Sequence, residues 1–527
     1  MEERLGTRWV VWVGGVALAL GAIFLVRYSI EQGLLGPGTR VFLGALFAAG
    51  LLAAGEWSRR NEVLGGIVSL PQASIPAILT AAGTVAAYAT VWAAHGLYDF
   101  IGPALAFPLL GLVALATLAA ALLHGPALAG LGLAGAYVTP LLVSSDEPNF
   151  WALYLYLSVV TAAAFALARA RLWRWLAITA VAASALWILP GLAFADLQGG
   201  VPHAFYLAVV FALAAALIVS GLLFGPDAAA DVIDNVSSMA LAAYVGAAAL
   251  LVLASDHAAV PLWIFTLLVT ATVAIAWRAP SATAALPFAA VLAALVIAEW
   301  AVQLRFETLL APGGPVARDA DAPGRAQVGL HLLLGGAFAV LFGGIGFLAQ
   351  GRSERAVISI LWAACAVLAP IAILIALYYR IAGFERSIPF AALALLAAAL
   401  YATATEFLHK RPPRPGLASG AALFAVGAIA ALALALTFAL EKGWLTVALA
   451  LMAPGIAMVA DKRPLPLLRW LAAACAILVS LRILWEPRIV GAEVGTVPIF
   501  NWLLWGYGVP AISFWVAAFL LRRRADD

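Results

Sequence analysis

The sequence predicts an all-α, polytopic transmembrane helix bundle of about 18 spans with both termini in the cytoplasm. Three observations predict it. Of 527 residues, 65% are hydrophobic and only 10% charged, where a soluble domain carries about 25% charged residues. The apolar residues fall into runs of about 17–25, long enough to cross a hydrocarbon core of roughly 30 Å. Lys and Arg collect at alternate ends of those runs, the pattern that orients spans. In lipid an unpaired backbone amide costs several kcal/mol, so the runs must be helices.

In chain order, the runs cover 9–27, 40–57, 74–95, 101–123, 126–143, 149–168, 173–194, 202–224, 236–254, 259–277, 282–303, 326–349, 355–378, 387–408, 416–440, 443–460, 466–485 and 498–521, with ends set to within about 2–4 residues. The first follows Arg4 and Arg8, runs into Arg27 and lacks a small-x-small cleavage site, so it reads as a retained span. Several runs open on an aliphatic residue and proline, as at Ile75-Pro76, Val201-Pro202 and Ile388-Pro389; proline suits a first turn, whose amide has no helical partner. Trp9, Trp57, Trp151, Trp173, Trp444 and Trp485 lie near proposed ends, where indoles prefer the headgroup layer. Small residues four apart, such as Gly44 with Ala48 and Gly132 with Ala136, let helix backbones approach closely. Pro140, in Ala136-Tyr-Val-Thr-Pro, is expected to break its helix and expose carbonyls.

With both termini inside, the 29 Lys and Arg divide about 19 inside to 10 outside. The acidic connection Gly225–Asn235, holding Asp227, Asp231 and Asp234 without a basic partner, falls inside; acids orient weakly, so it is tolerated. The polar stretch Arg305–Gln327 is too short for a domain and serves as a periplasmic loop or linker. It divides the chain into helical halves 1–304 and 328–527.

The net charge of +3 is spread singly between apolar runs, which excludes a nucleic-acid patch. The two cysteines, Cys365 and Cys475, sit within apolar runs and read as small hydrophobes. Phosphate-loop, His-Glu-x-x-His, Cys-x-x-Cys and Gly-x-Ser-x-Gly patterns are all missing from the sequence, so neither a cofactor nor a metal is expected. Ionisable residues inside or at the rim of spans remain, and these usually face a bundle interior or each other. They are Arg27 with Glu31, four apart on one helical face, and Glu56, His95, Glu299, Arg305, His331, Arg380, Glu406 and Arg482. Glu299, in Val296-Ile-Ala-Glu-Trp-Ala-Val, has no charged residue nearer in sequence than Arg305. Proton coupling competes there with a simple helix end near the outer surface.

Several blocks resemble a known family. Arg8-Trp-Val-Val-Trp-Val-Gly-Gly, Phe24-Leu-Val-Arg-Tyr-Ser-Ile-Glu-Gln-Gly, Leu123-His-Gly-Pro, Gly135-Ala-Tyr-Val-Thr-Pro-Leu-Leu and Phe500-Asn-Trp-Leu-Leu-Trp-Gly-Tyr-Gly-Val-Pro are similar to the predicted bacterial membrane proteins grouped as domain of unknown function 2339. The resemblance implies a many-helix inner-membrane protein of Gram-negative type and no established activity. The matching positions are Arg27, Tyr28, Glu31, His124, Tyr137, Thr139, Pro140, Asn501, Trp502 and Tyr507, and the resemblance gives none of them a role.

Three function classes stay open. A transporter or flippase of a small or lipid-linked solute, among membrane lipids, predicts a mid-membrane site drawn from Arg27, Glu31, Tyr137, Glu299, Asn501 and Tyr507. A transferase acting on a lipid-linked substrate instead uses outer-loop acids such as Asp99, Asp146 and Glu147. An envelope scaffold needs neither. Substrate and oligomeric state are not legible.

Overall fold

The computed structural model describes residues 36–65, 75–143, 149–192, 200–302, 328–440, 442–462, 466–485, 501 and 503–523, with positions 17, 20, 21, 24 and 28 of the first run. Arg27, Glu31, Trp502, Asp146, Glu147 and the 305–327 stretch lie outside the described residues. Among the described residues the chain is helical, with no strand. Twelve described helices are long and apolar enough to cross a membrane, and four more apolar helices are shorter, at 10–17 residues. Each run predicted from residue 40 onward overlaps one or two helices among the described residues. Large apolar side chains such as Leu112, Val340 and Leu368 are exposed on them, a surface that lipid solvates and water does not. The chain is a multi-pass membrane protein.

Contacts divide it into two compact units, 1–227 with 239–255, and 228–238 with 256–527. In the first, α1 (Pro37–Gly65) and α2 (Ile75–Trp92) pack antiparallel. A Cβ on Gly44 would meet Thr90, one on Gly83 would meet Leu52, and one on Gly55 would stand 2.6 Å from Thr80 Oγ1 and 3.1 Å from Pro76 O. Close backbone approach is what the small residues provide.

Helices α3 (Pro103–His124) and α4 (Pro126–Leu142) form a hairpin through the single residue Gly125. Its φ of 100° is one that glycine adopts and other residues avoid, so one residue suffices to reverse the chain. A Cβ on Gly132 would stand 3.0 Å from Leu118 N across this hairpin.

The break expected at Pro140 does not occur, and α4 continues to Leu142. Proline at 140 has no N–H for the carbonyl of Ala136, four residues back. The Tyr156 hydroxyl donates to that carbonyl instead, at 2.8 Å. Trp187 Nε1 donates to the next carbonyl, Tyr137 O, at 3.1 Å. Borrowed donors thus keep the helix intact.

Helix α5 (Phe150–Arg171) starts on Asn149, whose side chain accepts from Ala152 N at 3.1 Å, an N-cap. It is followed by α6 (Arg174–Leu186), α7 (Ile188–Leu192) and α8 (Val201–Leu217). The run predicted to reach 224 stops at 217. Val219 N donates to Ala214 O, Gly221 takes a φ of 72°, and Gly221 N donates to Pro226 O at 2.8 Å. Glycines and a proline close the end into a turn, which Arg169 Nε ties to Phe224 O at 2.6 Å. Helix α9 (Asn235–Ala254) gives its first turn to the second unit and the rest to the first.

The second unit continues with α10 (Ala259–Arg278), α11 (Ala285–Val302), α12 (Val328–Leu348), α13 (Ala356–Ala382), α14 (Ile388–His409), α15 (Leu417–Ala439), α16 (Lys442–Lys462), α17 (Pro466–Trp485) and α18 (Val509–Arg523). Helices α13, α14 and α15 share a core of Ala363, Ala366, Val367, Ala398, Tyr401, Phe424 and Ala431. Where alanines meet, aromatic rings fill the gaps, as Tyr401 does beside Phe424 at 6.0 Å between centroids.

Candidate functional site

Four helices of the second unit bring their ends together. The chain enters α10, leaves α11, enters α12 and leaves α13 at the same end, because antiparallel neighbours alternate direction. His257 (just before α10), Glu299 and Trp300 (last turn of α11), His331 (first turn of α12) and Arg380 (last turn of α13) are thereby placed together.

Trp300 is the centre. Its indole, 2% exposed, is stacked on one side by the His257 imidazole, at 5.0 Å between centroids and an interplanar angle of 9°. The His331 ring lies 4.4 Å from it at 35°. The Arg380 guanidinium carbon stands 5.4 Å from the indole centroid, within cation–π range. Arg380 Nη1 also donates to Trp300 O at 2.8 Å, satisfying one of the carbonyls that a helix C-terminus leaves without a partner.

His257 reaches the indole through an unusual backbone. Asp256 and His257 take φ values of 48° and 60°, the left-handed region that costs non-glycine residues about 1–3 kcal/mol each and persists mostly at functional positions. The paired left-handed turn points Asp256 into solvent and folds His257 inward: the side chains are 101% and 4% exposed.

Glu299 lies with its Oε2 3.0 Å from His257 Nε2, its side chain 28% exposed. Neither atom makes a directed hydrogen bond, so the two are close without hydrogen-bond geometry. His331 Nε2 contacts Ile297 O at 3.0 Å, which fixes the proton on Nε2 and leaves Nδ1 as a lone pair. That Nδ1 is buried and has no hydrogen-bond partner among the described residues. The site therefore offers a carboxylate beside an imidazole at a partly open edge and an unpaired ring nitrogen behind it.

Of the other residues singled out in the sequence, Tyr137 lies in the first unit, 7% exposed, with its hydroxyl 2.8 Å from Thr161 Oγ1. Asn501 Oδ1 accepts from Leu503 N at 3.0 Å and leads into the π-turn Leu504–Gly508 that carries Tyr507. Glu56 is a rim ion pair, with Oε1 2.6 Å from Arg59 Nη2 and 2.7 Å from Arg60 Nε. Glu406 pairs with Lys410 at 3.6 Å. Sequence reading missed His257. It lies in the short polar connection Ser255-Asp-His-Ala, and an imidazole beside an acid in so short a link was the available signal.

Spanning helices, a lipid-solvated exterior and an ionisable cluster at helix ends define a polytopic α-helical membrane protein. The family model described as Predicted membrane protein (DUF2339) matches residues 6–527. The chain belongs to that family. No curated protein and no solved structure matches it.

Proposed function

We propose that the chain is a proton-coupled transporter or flippase of a small or lipid-linked solute in a bacterial inner membrane, about 18 spans deep with both termini cytoplasmic. The carrying observation is the Glu299–His257 pair, a carboxylate 3.0 Å from a buried imidazole at the ends of largely apolar helices. Ionisable groups are costly in lipid, and where they occur they mark proton relays and ion pathways. Glu299 is the more exposed partner, while His257 is held against Trp300 by stacking. His331 Nδ1 is a further acceptor behind Trp300. Asn501 and Tyr507, like Arg27, Glu31 and Tyr137, stay proposals as solute contacts.

The test uses proteoliposomes containing a trapped proton-sensitive dye, an imposed pH gradient, and a fractionated cell extract as the solute source. A fraction that drives proton entry through the native protein, with the flux cut at least about tenfold by Glu299→Gln, as befits loss of a proton-transfer group, supports the reading. If no fraction produces a protein-dependent flux, or Glu299→Gln leaves the flux intact, the reading fails.

A further inference from the structure

A second polar cluster, without an ion pair among the described residues, occupies the first unit. The Ser184 hydroxyl lies 2.7 Å from the Tyr244 hydroxyl, and Tyr206 donates to Ser184 O at 2.8 Å. Tyr137 joins Thr161. These groups satisfy one another. Two neighbours do not: Tyr154 stacks on Tyr206 at 4.7 Å between centroids, and His203 meets Tyr154 edge-on at 5.0 Å.

Tyr154 is 0% exposed and His203 3%. The Tyr154 hydroxyl and both ring nitrogens of His203 are buried with no hydrogen-bond partner among the described residues. Three unpaired polar atoms on two touching side chains are unusual, because more than about nine-tenths of buried polar groups are paired, by protein or by ordered water. Phenylalanine in both places would have kept the stacking without the desolvation cost.

We propose that Tyr154 and His203 hold an uncharged hydroxyl-bearing guest, either an internal water or a hydroxyl of a neutral solute such as a polyol. The chemistry selects this class. A neutral imidazole presents one donor and one acceptor, and a phenol presents both, which an O–H group complements. Among the described residues the cluster is made of hydroxyls, imidazole and aromatic faces, with no ion pair to balance a charged guest, whose burial would be costly. The inference stands apart from the Glu299 reading, since it concerns other residues and is read by another measurement.

Thermal unfolding of the detergent-purified full chain tests it, comparing native protein with Tyr154→Phe, His203→Phe and the double variant. A guest bridging the pair makes each single substitution lower the melting temperature, with a less than additive loss in the double variant. A melting temperature that is unchanged or raised means the polar atoms are dry, and overturns the proposal. A density map of the native protein at a resolution that shows ordered waters gives an answer that does not depend on the variants folding. A peak within hydrogen-bond distance of Tyr154 Oη or a His203 nitrogen supports the proposal, and its absence overturns it. Adding glycerol or myo-inositol separates the sources. A stabilisation of native protein that His203→Phe abolishes assigns the guest to a solute, while a peak without that response assigns it to water.

Discussion

At the scale of single residues, the protein repairs backbone defects with side chains from neighbouring helices. Pro140 removes one donor from α4, and Tyr156 supplies its replacement to Ala136 O. This predicts a specific double-mutant cycle. Tyr156→Phe alone should reduce stability by roughly 0.6–1 kcal/mol, the range for a hydrogen bond within a membrane protein. In a Pro140→Ala background the residue's own amide serves Ala136 O, so the same substitution should cost close to nothing. Unfolding in mixed micelles measures both, and equal losses in the two backgrounds would show that Tyr156 is not compensating for the proline. Single residues are also where the sequence was least legible. Glu299, His331 and Arg380 stand out as charges or imidazoles in apolar runs, but their convergence on Trp300 depends on which helix ends meet. His257 is hidden further, since only its left-handed backbone turns a loop imidazole into a buried one.

At the scale of elements, helix positions were legible because lipid leaves the backbone one solution. Run length alone gives α10 through α15 to within a few residues. What run length does not reveal is where a helix stops early or survives a proline, since those outcomes depend on glycine conformations and tertiary donors. Helix α8 ends at Leu217 because the turn through Gly221 closes on Pro226, although the apolar run continues. Small-residue pairing was legible, and it can be tested within one helix. Gly50 and Gly55 both lie in α1, but a Cβ on Gly50 meets nothing within 4 Å, whereas one on Gly55 meets Thr80 Oγ1 at 2.6 Å and backbone at 3.1 Å. Gly50→Ala should leave stability unchanged or raise it by up to about 1 kcal/mol through reduced backbone entropy. Gly55→Ala should lower it by about 1–3 kcal/mol through overpacking. Thermal unfolding of the two variants side by side gives the comparison, and a tolerated Gly55→Ala would mean that α1 and α2 are not in close contact.

At the scale of the molecule, the second unit carries different chemistry at its two helix ends. At or beyond the ends of α10, α12 and α14 lie Arg278, Arg352, Arg355, Lys410, Arg411 and Arg414. There Arg411 and Arg414 donate to Gln350 O and Gly351 O at 3.0 and 2.7 Å, and Arg352 stacks 3.7 Å from the Trp277 centroid. The opposite end holds the Trp300 cluster, with Arg380 engaged by a backbone carbonyl. Basic residues are retained on the cytoplasmic side during insertion, so the Arg-rich end should face the cytoplasm and Glu299 should open outward. Helix α14 (Ile388–His409) joins the two ends over about 33 Å at 1.5 Å per residue. Exposed Arg386 precedes it and exposed Pro413 follows it. In a background with Cys365 and Cys475 replaced by alanine, Arg386→Cys should react with a membrane-impermeant maleimide in intact spheroplasts. Pro413→Cys should react only after lysis. The reverse labelling would place Glu299 and His257 on the cytoplasmic side and invert the direction in which the pair takes up a proton. Labelling of both residues from one side would remove α14 from the set of spanning helices, and with it the even count on which cytoplasmic placement of both termini rests.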